Sequence, residues 1–222
     1  PHAPAPRRGR GPERGRLAAP RVPAEAIVLG VDARLWLREG WLAAELAGAV
    51  LERLRREVPW EQKAIRLFGR SILQPRLVAW VGDPEALYTY SGLTLDPHPW
   101  TPILSALRAR ASADAGVDYN SVLLNLYRDG NDSMGLHADD ERELGPEPVI
   151  ASLSLGAVRR FVLRPTTPGG ERRDLDLPAG SLLVMSAEVQ RRYRHGVPKQ
   201  PAISGARINL TFRRIVPSLA SR

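Results

Sequence analysis

The chain has few residues that could bind a metal ion, and three of them have a spacing that suits one. It contains four histidines and no cysteine, so a metal site must use imidazole and carboxylate ligands. His137 and Asp139 form a His-x-Asp pair that points one way in an extended segment, and His195 follows 58 residues later. Two imidazoles and one carboxylate cover one face of an octahedral ion and leave three positions open. A histidine near an aspartate is also common on protein surfaces, so a structural role for His137 stays open.

Two predicted strands each carry polar residues on one face. In the segment RINLTFR, the alternation places four polar residues together, with apolar residues on the other face: Arg207, Asn209, Thr211 and Arg213. In SVLLNLY the same alternation places Asn125 and Tyr127 opposite Leu124 and Leu126. A solvated sheet edge would alternate in the same way. Polar faces on two separate strands nevertheless favour a pocket lined from both.

Two helices are predicted to support these strands. Residues 38–58 carry an apolar residue at every fourth position, which indicates an amphipathic helix that Pro59 ends: Leu42, Leu46, Val50 and Leu54. A second helix is predicted over residues 102–113, because Thr101 suits the N-cap and Pro102 the first helical position.

The second half of the chain reads as short strands separated by turn residues. The strands are predicted at residues 121–127, 149–155, 160–164, 174–177, 181–185 and 207–213. Turns are indicated by Asp129-Gly130, Pro168-Gly169-Gly170 and Pro178-Ala179-Gly180. Short, evenly spaced strands without helices between them favour an antiparallel sandwich or jelly roll over a parallel sheet.

Composition restricts the class of protein. The 222 residues are 43% hydrophobic and 25% charged, a balance that excludes disorder throughout. Residues 1–23 hold six arginines, one glutamate and six prolines, which predicts a disordered basic arm that supplies +5 of the net charge of +8. There is no long apolar run, no leader pattern and no disulfide framework, so we expect a cytoplasmic protein.

Seven segments together resemble the AlkB-type Fe(II)/2-oxoglutarate dioxygenases, which repair alkylated nucleobases. In order along the chain they are PRLVAWVGD, YTYSGLTL, NSVLLNLYRDGNDSMGLHADDE, SLSLGAVRRF, GSLLVM, RHGVPK and RINLTFR. The similarity extends over roughly residues 58–215. It implies a mainly β (α+β) fold, with a double-stranded β-helix (jelly roll) core, supporting helices and an N-terminal nucleotide-recognition lid. Residues 24–222 would form one domain, with the lid at 58–100 and the core at 120–215.

The resemblance also implies the cofactor site. His137, Asp139 and His195 would bind Fe(II), and Arg207 and Arg213 would hold the two carboxylates of 2-oxoglutarate. The site would be completed by Asn125, Tyr127 and Asn209. Arginine suits a dicarboxylate because its guanidinium is always charged and donates two parallel hydrogen bonds, whereas lysine offers a mobile point charge.

On the substrate side the resemblance assigns a stacking role to Tyr90, with Tyr88 nearby, because an alkylated pairing edge is reached only after the base is extruded. Asp140 and Glu141 match acidic positions that contact the exocyclic amine of the base. Phe68 matches the residue that fills the stack in members acting on duplexes, although a packing role is open to it. Three tryptophans could line the cleft or pack beneath it: Trp60, Trp80 and Trp100.

The implied activity is oxidative dealkylation of DNA carrying N1-methyladenine or N3-methylcytosine. It would use Fe(II), 2-oxoglutarate and O2 and release an aldehyde, succinate and CO2. We expect a monomer whose partner is alkylated DNA in the cytosol or nucleoid. Two alternatives are an oxygenase acting on RNA or protein and a non-catalytic nucleic-acid-binding module. The second does not explain why the three iron positions and the two arginine positions are all intact: His137, Asp139, His195, Arg207 and Arg213.

Overall fold

Strands form most of the fold, and two long helices pack against the larger of two sheets. The structure is a computed structural model that describes residues 25–29, 33–67, 70–90 and 93–216. The strands are β1 (Glu25–Leu29), β2 (Ala33–Arg38), β3 (Ala64–Leu67), β4 (Arg70–Leu73), β5 (Leu77–Gly82), β6 (Tyr88–Tyr90), β7 (Leu93–Leu95), β8 (Ser121–Tyr127), β9 (Met134–His137), β10 (Ile150–Gly156), β11 (Arg159–Pro165), β12 (Arg173–Leu177), β13 (Leu182–Met185), β14 (Tyr193–Val197) and β15 (Arg207–Arg213). The helices are α1 (Ala44–Glu57), α2 (Pro102–Ala115) and α3 (Ala187–Arg192), and a 3-10 turn covers Arg142–Leu144.

Two antiparallel sheets make the jelly roll. The larger has the order β1-β2-β13-β10-β15-β8-β5 and the smaller the order β12-β11-β14-β9. Two separate hairpins, β3-β4 and β6-β7, lie between α1 and α2 in the chain. One hydrophobic cluster joins the two sheets, with Leu123 and Leu183 from the larger and Phe161 and Leu163 from the smaller. The predicted fold class is therefore confirmed.

All six predicted strands are present, with ends that agree within one residue. The other nine strands of the described residues, β1–β7, β9 and β14, were not predicted from the sequence. His195 accordingly lies inside a strand, β14, that was not anticipated. The larger sheet also takes β1, β2 and β5 from the part of the chain before residue 120.

The second helix agrees with its prediction. Thr101 Oγ1 accepts a hydrogen bond from the Leu104 amide at 3.4 Å, and Pro102 is the first helical residue. The helix ends at Gly116, whose φ of 69° is the left-handed conformation that favours glycine. No helix in the described ranges is long and apolar enough to cross a membrane.

The first helix is shorter than predicted. It begins at Ala44 rather than near residue 38, because Arg38 ends strand β2 and pairs with Leu182 of β13. Its buried face is formed by Ala47, Val50 and Leu54, which are spaced by three and four residues. The prediction that Leu46 belongs to this face was wrong, since Leu46 is 51% exposed. It adjoins Ala47 and points about 100° away around the helix.

Candidate active site

The two sheets bring His137, Asp139 and His195 together. His137 ends β9 and lies opposite His195 on β14. Asp139 follows β9 by two residues; its Oδ1 lies 4.0 Å from His137 Nε2 and its Oδ2 lies 3.7 Å from His195 Nε2. The candidate ligand atoms of the three residues all lie within 4.8 Å of one another.

Close backbone approach between β14 and β9 makes this convergence possible. A Cβ atom at Gly196 would lie 2.8 Å from the carbonyl oxygen of Met134, so only glycine fits beside His195. The ring of His137 is oriented by a contact of 3.1 Å between its Nδ1 and the carbonyl oxygen of Gly135. This contact leaves Nε2 directed towards the carboxylate of Asp139.

The electrostatic surroundings favour the protonation states that a metal ion requires. Burial alone would raise the pKa of Asp139, but Arg213, His195 and His137 lower it below its usual value. Burial, with His137 adding to it, lowers the pKa of His195 to about 3. A carboxylate that stays ionised and an imidazole that stays neutral are the forms that bind metals. Two imidazoles, one buried carboxylate and no thiolate fit Fe(II).

A cavity that is partly open to solvent is lined by these three residues. The polar faces of β8 and β15 both reach it, as their alternation predicts. The predicted residues that line it are Asn125, Tyr127, Asn209, Thr211 and Arg213. Arg213 Nη2 donates a hydrogen bond to Asp139 Oδ1, which connects this wall of the cavity to the metal-type ligands.

Arg207 is a buried cation next to the cavity. It does not line the cavity itself, but its Cζ lies 5.3 Å from the ring centroid of Tyr127, which does. Its Nη2 donates to Ser154 Oγ at 2.9 Å, and within the described ranges its Nε and Nη1 make no hydrogen bond and no carboxylate lies within 4.0 Å. Burial lowers the pKa of Arg207. A buried guanidinium without an anion is unfavourable, so a carboxylate ligand would suit it.

A third buried arginine was missed by the sequence analysis. Arg76, only 5% exposed, donates from Nε to Asn125 Oδ1 at 2.8 Å. In the part of the chain that the structure describes, no carboxylate lies within 4.0 Å of it. The signal was the single arginine immediately before the apolar strand LVAWVG.

The chain is similar to known proteins in sequence and in fold. The model of the 2OG-Fe(II) oxygenase superfamily matches residues 34–213. The mouse DNA oxidative demethylase ALKBH2 is 40% identical over 182 residues, which cover 78% of this chain and 76% of that protein. The chain belongs to the AlkB-type 2OG-Fe(II) oxygenases.

Other relatives agree with this membership. The rat alpha-ketoglutarate-dependent dioxygenase alkB homolog 3 is 42% identical over 193 residues, which cover 83% of this oxygenase and 65% of the relative's length. A solved structure described as "The structure of OsALKBH1" superposes with a TM-score of 0.60 at 16% identity, covering 86% of this chain and all of that one; the likeness is one of fold. The predicted cofactor set, Fe(II), 2-oxoglutarate and O2, is that of the superfamily.

The structure describes the predicted substrate residues of the oxygenase to different extents. Asp140 is exposed and its Oδ2 lies 3.6 Å from Arg194 Nη1, whereas Glu141 is half-buried. Tyr88 and Tyr90 belong to strand β6, of which the backbone is described. Phe68 and the arm at residues 1–23 lie outside the described residues.

The tryptophans pack beneath the site rather than line it. Trp80 is buried and donates from Nε1 to the carbonyl oxygen of Ala86 at 3.0 Å. Trp60 and Trp100 are half-buried against the cluster between the larger sheet and the helices. None of the three lines the cavity of the oxygenase.

Proposed function

We propose that this oxygenase removes alkyl groups from DNA bases by oxidation. The observation that carries the proposal is that His137, Asp139 and His195 converge with Arg213 at one cavity. The mouse relative that is 40% identical is a DNA oxidative demethylase, which supports DNA as the substrate class.

In this proposal His137, Asp139 and His195 hold Fe(II). When bound, the metal supplies the oxidation in which O2 and 2-oxoglutarate give succinate and CO2, with one oxygen atom going to the alkyl carbon of the base. The protein keeps Asp139 able to bind a metal, because the buried Arg213 guanidinium lowers the pKa of its carboxylate. Asp139 and His195 are themselves buried, so they would shield a bound ion from water on their side.

The 2-oxoglutarate site is proposed on the strands β8 and β15. Arg213 and Arg207 would bind the two carboxylates through charge-assisted hydrogen bonds. Asn209 is already held by hydrogen bonds from its Nδ2 to Ser152 Oγ at 2.7 Å and to the carbonyl oxygen of Leu153 at 3.1 Å. Its position is thus fixed before the ligand binds, as is that of Asn125 through Arg76.

The alkylated base would be held between Tyr90 and His137, with Tyr88 beside them and Phe68 filling the vacated stack. Asp140 and Glu141 would accept hydrogen bonds from the exocyclic amine of N1-methyladenine or N3-methylcytosine, bases that the methyl group makes cationic. Hydroxylation of the methyl carbon gives a hemiaminal, whose C–N bond breaks to release formaldehyde. The base nitrogen keeps the electron pair, and the normal base is restored.

The test is mass spectrometry of oligonucleotides carrying N3-methylcytosine after incubation with Fe(II), 2-oxoglutarate and O2. Single-stranded DNA, duplex DNA and RNA are compared, with His137→Ala as the inactive variant and His98→Ala as a control outside the triplet. We expect methyl loss from DNA with wild type and His98→Ala, and none with His137→Ala.

Two results would contradict the proposal in different ways. Methyl loss from RNA alone, with succinate formed, would keep the chemistry and reject DNA as the substrate. No succinate under full iron loading would reject the assigned cofactor site.

We also propose that the protein acts as a monomer in the cytosol or nucleoid. Its proposed substrate is found there, and one chain contains every residue assigned to the site. Light scattering coupled to size exclusion would give the mass of 24.4 kDa for a monomer; twice that mass would contradict it.

A further inference from the structure

The backbone of Asp139 depends on a partner distant in sequence. Asp139 lies between β9 and the 3-10 turn, where no strand supplies hydrogen bonds to it. Its amide donates instead to Oε1 of Gln190 at 3.1 Å, and the two residues are only 1% and 2% exposed. A buried amide deprived of this acceptor would be left without a hydrogen bond, which is strongly unfavourable.

Gln190 is itself held in place. It lies in α3, and the preceding residue, Val189, is fully buried in the cluster between the sheets. Its other amide atom, Nε2, lies 3.9 Å from Met185 Sδ at the end of β13. Contacts at both Oε1 and Nε2 therefore fix the orientation of the Gln190 side-chain amide, with Oε1 facing the amide of Asp139.

The same helix leads directly to another ligand. α3 ends at Arg192, β14 begins at Tyr193, and His195 is the third residue of that strand. The hydrogen bond from Asp139 to Gln190 therefore ties the segment carrying the carboxylate to the helix that precedes the second imidazole. His137 is placed differently, by the pairing of β9 with β14.

We propose that Gln190 is a positioning residue for the metal centre. It touches neither the ligand atoms nor the cavity, and it acts by fixing Asp139 relative to His195. This inference rests on the proposed function, because it takes Asp139 as a metal ligand. Groups that orient metal ligands typically account for a 10- to 100-fold difference in metal affinity.

The test measures metal affinity apart from turnover. Metal-free protein is titrated with Mn(II), a redox-stable substitute for Fe(II), and free Mn(II) is followed by electron paramagnetic resonance. Gln190→Met keeps the size of the side chain and removes the acceptor. We expect its Mn(II) dissociation constant to rise about 10-fold or more. Gln190→Asn shortens the side chain by one methylene group, and its Mn(II) dissociation constant should also rise. This variant replaces Gln190→Met in the test if Gln190→Met folds poorly.

Gln200→Met is the matched control. Gln200 Oε1 accepts a hydrogen bond from the amide of Arg160 at 2.8 Å, the same kind of bond in a place away from the triplet. We expect this variant to bind Mn(II) as wild type does, and urea unfolding of each metal-free variant reports its loss of stability.

Three results would overturn the inference. Unchanged Mn(II) affinity in both Gln190 variants would show that the bond does not position the metal ligand. An equal loss of affinity in Gln200→Met would show a general structural effect. If His137→Ala bound Mn(II) as tightly as wild type, the metal assignment itself would fail. That result would reject the proposed function, and the His137→Ala variant alone distinguishes it from a failure of the Gln190 proposal.

Discussion

At the scale of single residues, the site combines several buried guanidinium groups with one buried carboxylate. Arg76, Arg207 and Arg213 are each at most 5% exposed, and Asp139 is the carboxylate among them. The excess of positive charge matches a ligand that carries two carboxylates and binds beside a divalent ion. Arginine, rather than lysine, is needed where two parallel hydrogen bonds define an orientation.

Replacing Arg207 by lysine tests this requirement. Hydrogen bonds to charged groups contribute about 1.5–3 kcal/mol, so we expect Arg207→Lys to raise the KM for 2-oxoglutarate about 10- to 100-fold. Succinate formation at varied 2-oxoglutarate concentration measures it. Arg160→Lys, an exposed change on β11 near Asp176, should leave KM unchanged. A fall in kcat at constant KM would contradict the assigned role.

Residue types and local spacing predicted the residues that carry the chemistry of the site. They did not predict the residues that hold those side chains and their backbone in place. His137 and Asp139 were found because a His-x-Asp pair points one way in an extended segment, and the alternation of β15 marked its four polar residues. Arg76 and Gln190 escaped, because they act on Asn125 and Asp139 at separations of 49 and 51 residues. No local pattern encodes contacts of that range.

At the scale of elements, the first helix shows how a shifted boundary alters a predicted face. The four-residue spacing of Leu42, Leu46, Val50 and Leu54 suggested one continuous stripe. Because the helix starts at Ala44, Leu42 is buried ahead of it and Leu46 turns to solvent. Apolar spacing alone does not give the first residue of a helix.

Two alanine substitutions compare these positions directly. Leu54 is 1% exposed and lies in the cluster beneath the larger sheet, so Leu54→Ala should lower the free energy of unfolding by about 2–5 kcal/mol. Leu46→Ala should change it by less than about 0.5 kcal/mol. Urea unfolding measures both. Equal losses would mean that Leu46 is packed after all.

The loop between β8 and β9 depends on Asp132. Its two oxygens accept hydrogen bonds from the backbone amide, Nε and Nη2 of Arg128, at 2.8–2.9 Å. Burial would raise the pKa of Asp132, but the bonds from Arg128 lower it below its usual value. The folded state therefore prefers the ionised form, and this stabilisation is present above the unfolded pKa of about 3.9.

Asp132→Asn should consequently destabilise the protein at neutral pH by about 1–3 kcal/mol. The difference from wild type should shrink as the pH falls below about 4, because Asp132 of the unfolded chain takes up a proton there, whereas the folded chain does so only at lower pH. Urea unfolding at pH 7, 4 and 3 measures the trend. A difference that stays constant over this range would argue against the ionised pair.

At the scale of the whole molecule, the fold class could be predicted from the sequence. The N-terminal strands that join the larger sheet could not. Six of the eight strands after residue 120 could be recognised from alternation and turns: β13, β10, β15 and β8 of the larger sheet and β12 and β11 of the smaller. The first two strands could not, since β2 joins β13 through pairs such as Leu37 with Leu183. Such long-range pairing depends on the shape of the finished sheet.

Net charge is also a property of the whole chain, and it is unevenly distributed. Residues 1–23 carry +5 of the +8. Each contact between a basic residue and a phosphate releases counterions, so the logarithm of DNA affinity falls with the logarithm of salt concentration. A chain lacking residues 1–23 should therefore bind DNA with a shallower salt dependence. An unchanged slope in fluorescence anisotropy would show that the arm contacts no phosphates.

Strand β9 carries His137 at the edge of the smaller sheet, and within the described residues only β14 pairs with it. The register of that pairing is irregular between His195 and Val197. A metal ion bound to His137 and His195 would therefore link the edge strand β9 to its neighbour β14 and stabilise their pairing. Without metal, amide hydrogen exchange should accelerate over Met134–His137 while the central strands of the larger sheet keep their protection. Iron shortage would then leave this oxygenase folded, with only the pairing between β9 and β14 weakened. That pairing would form again when the metal binds.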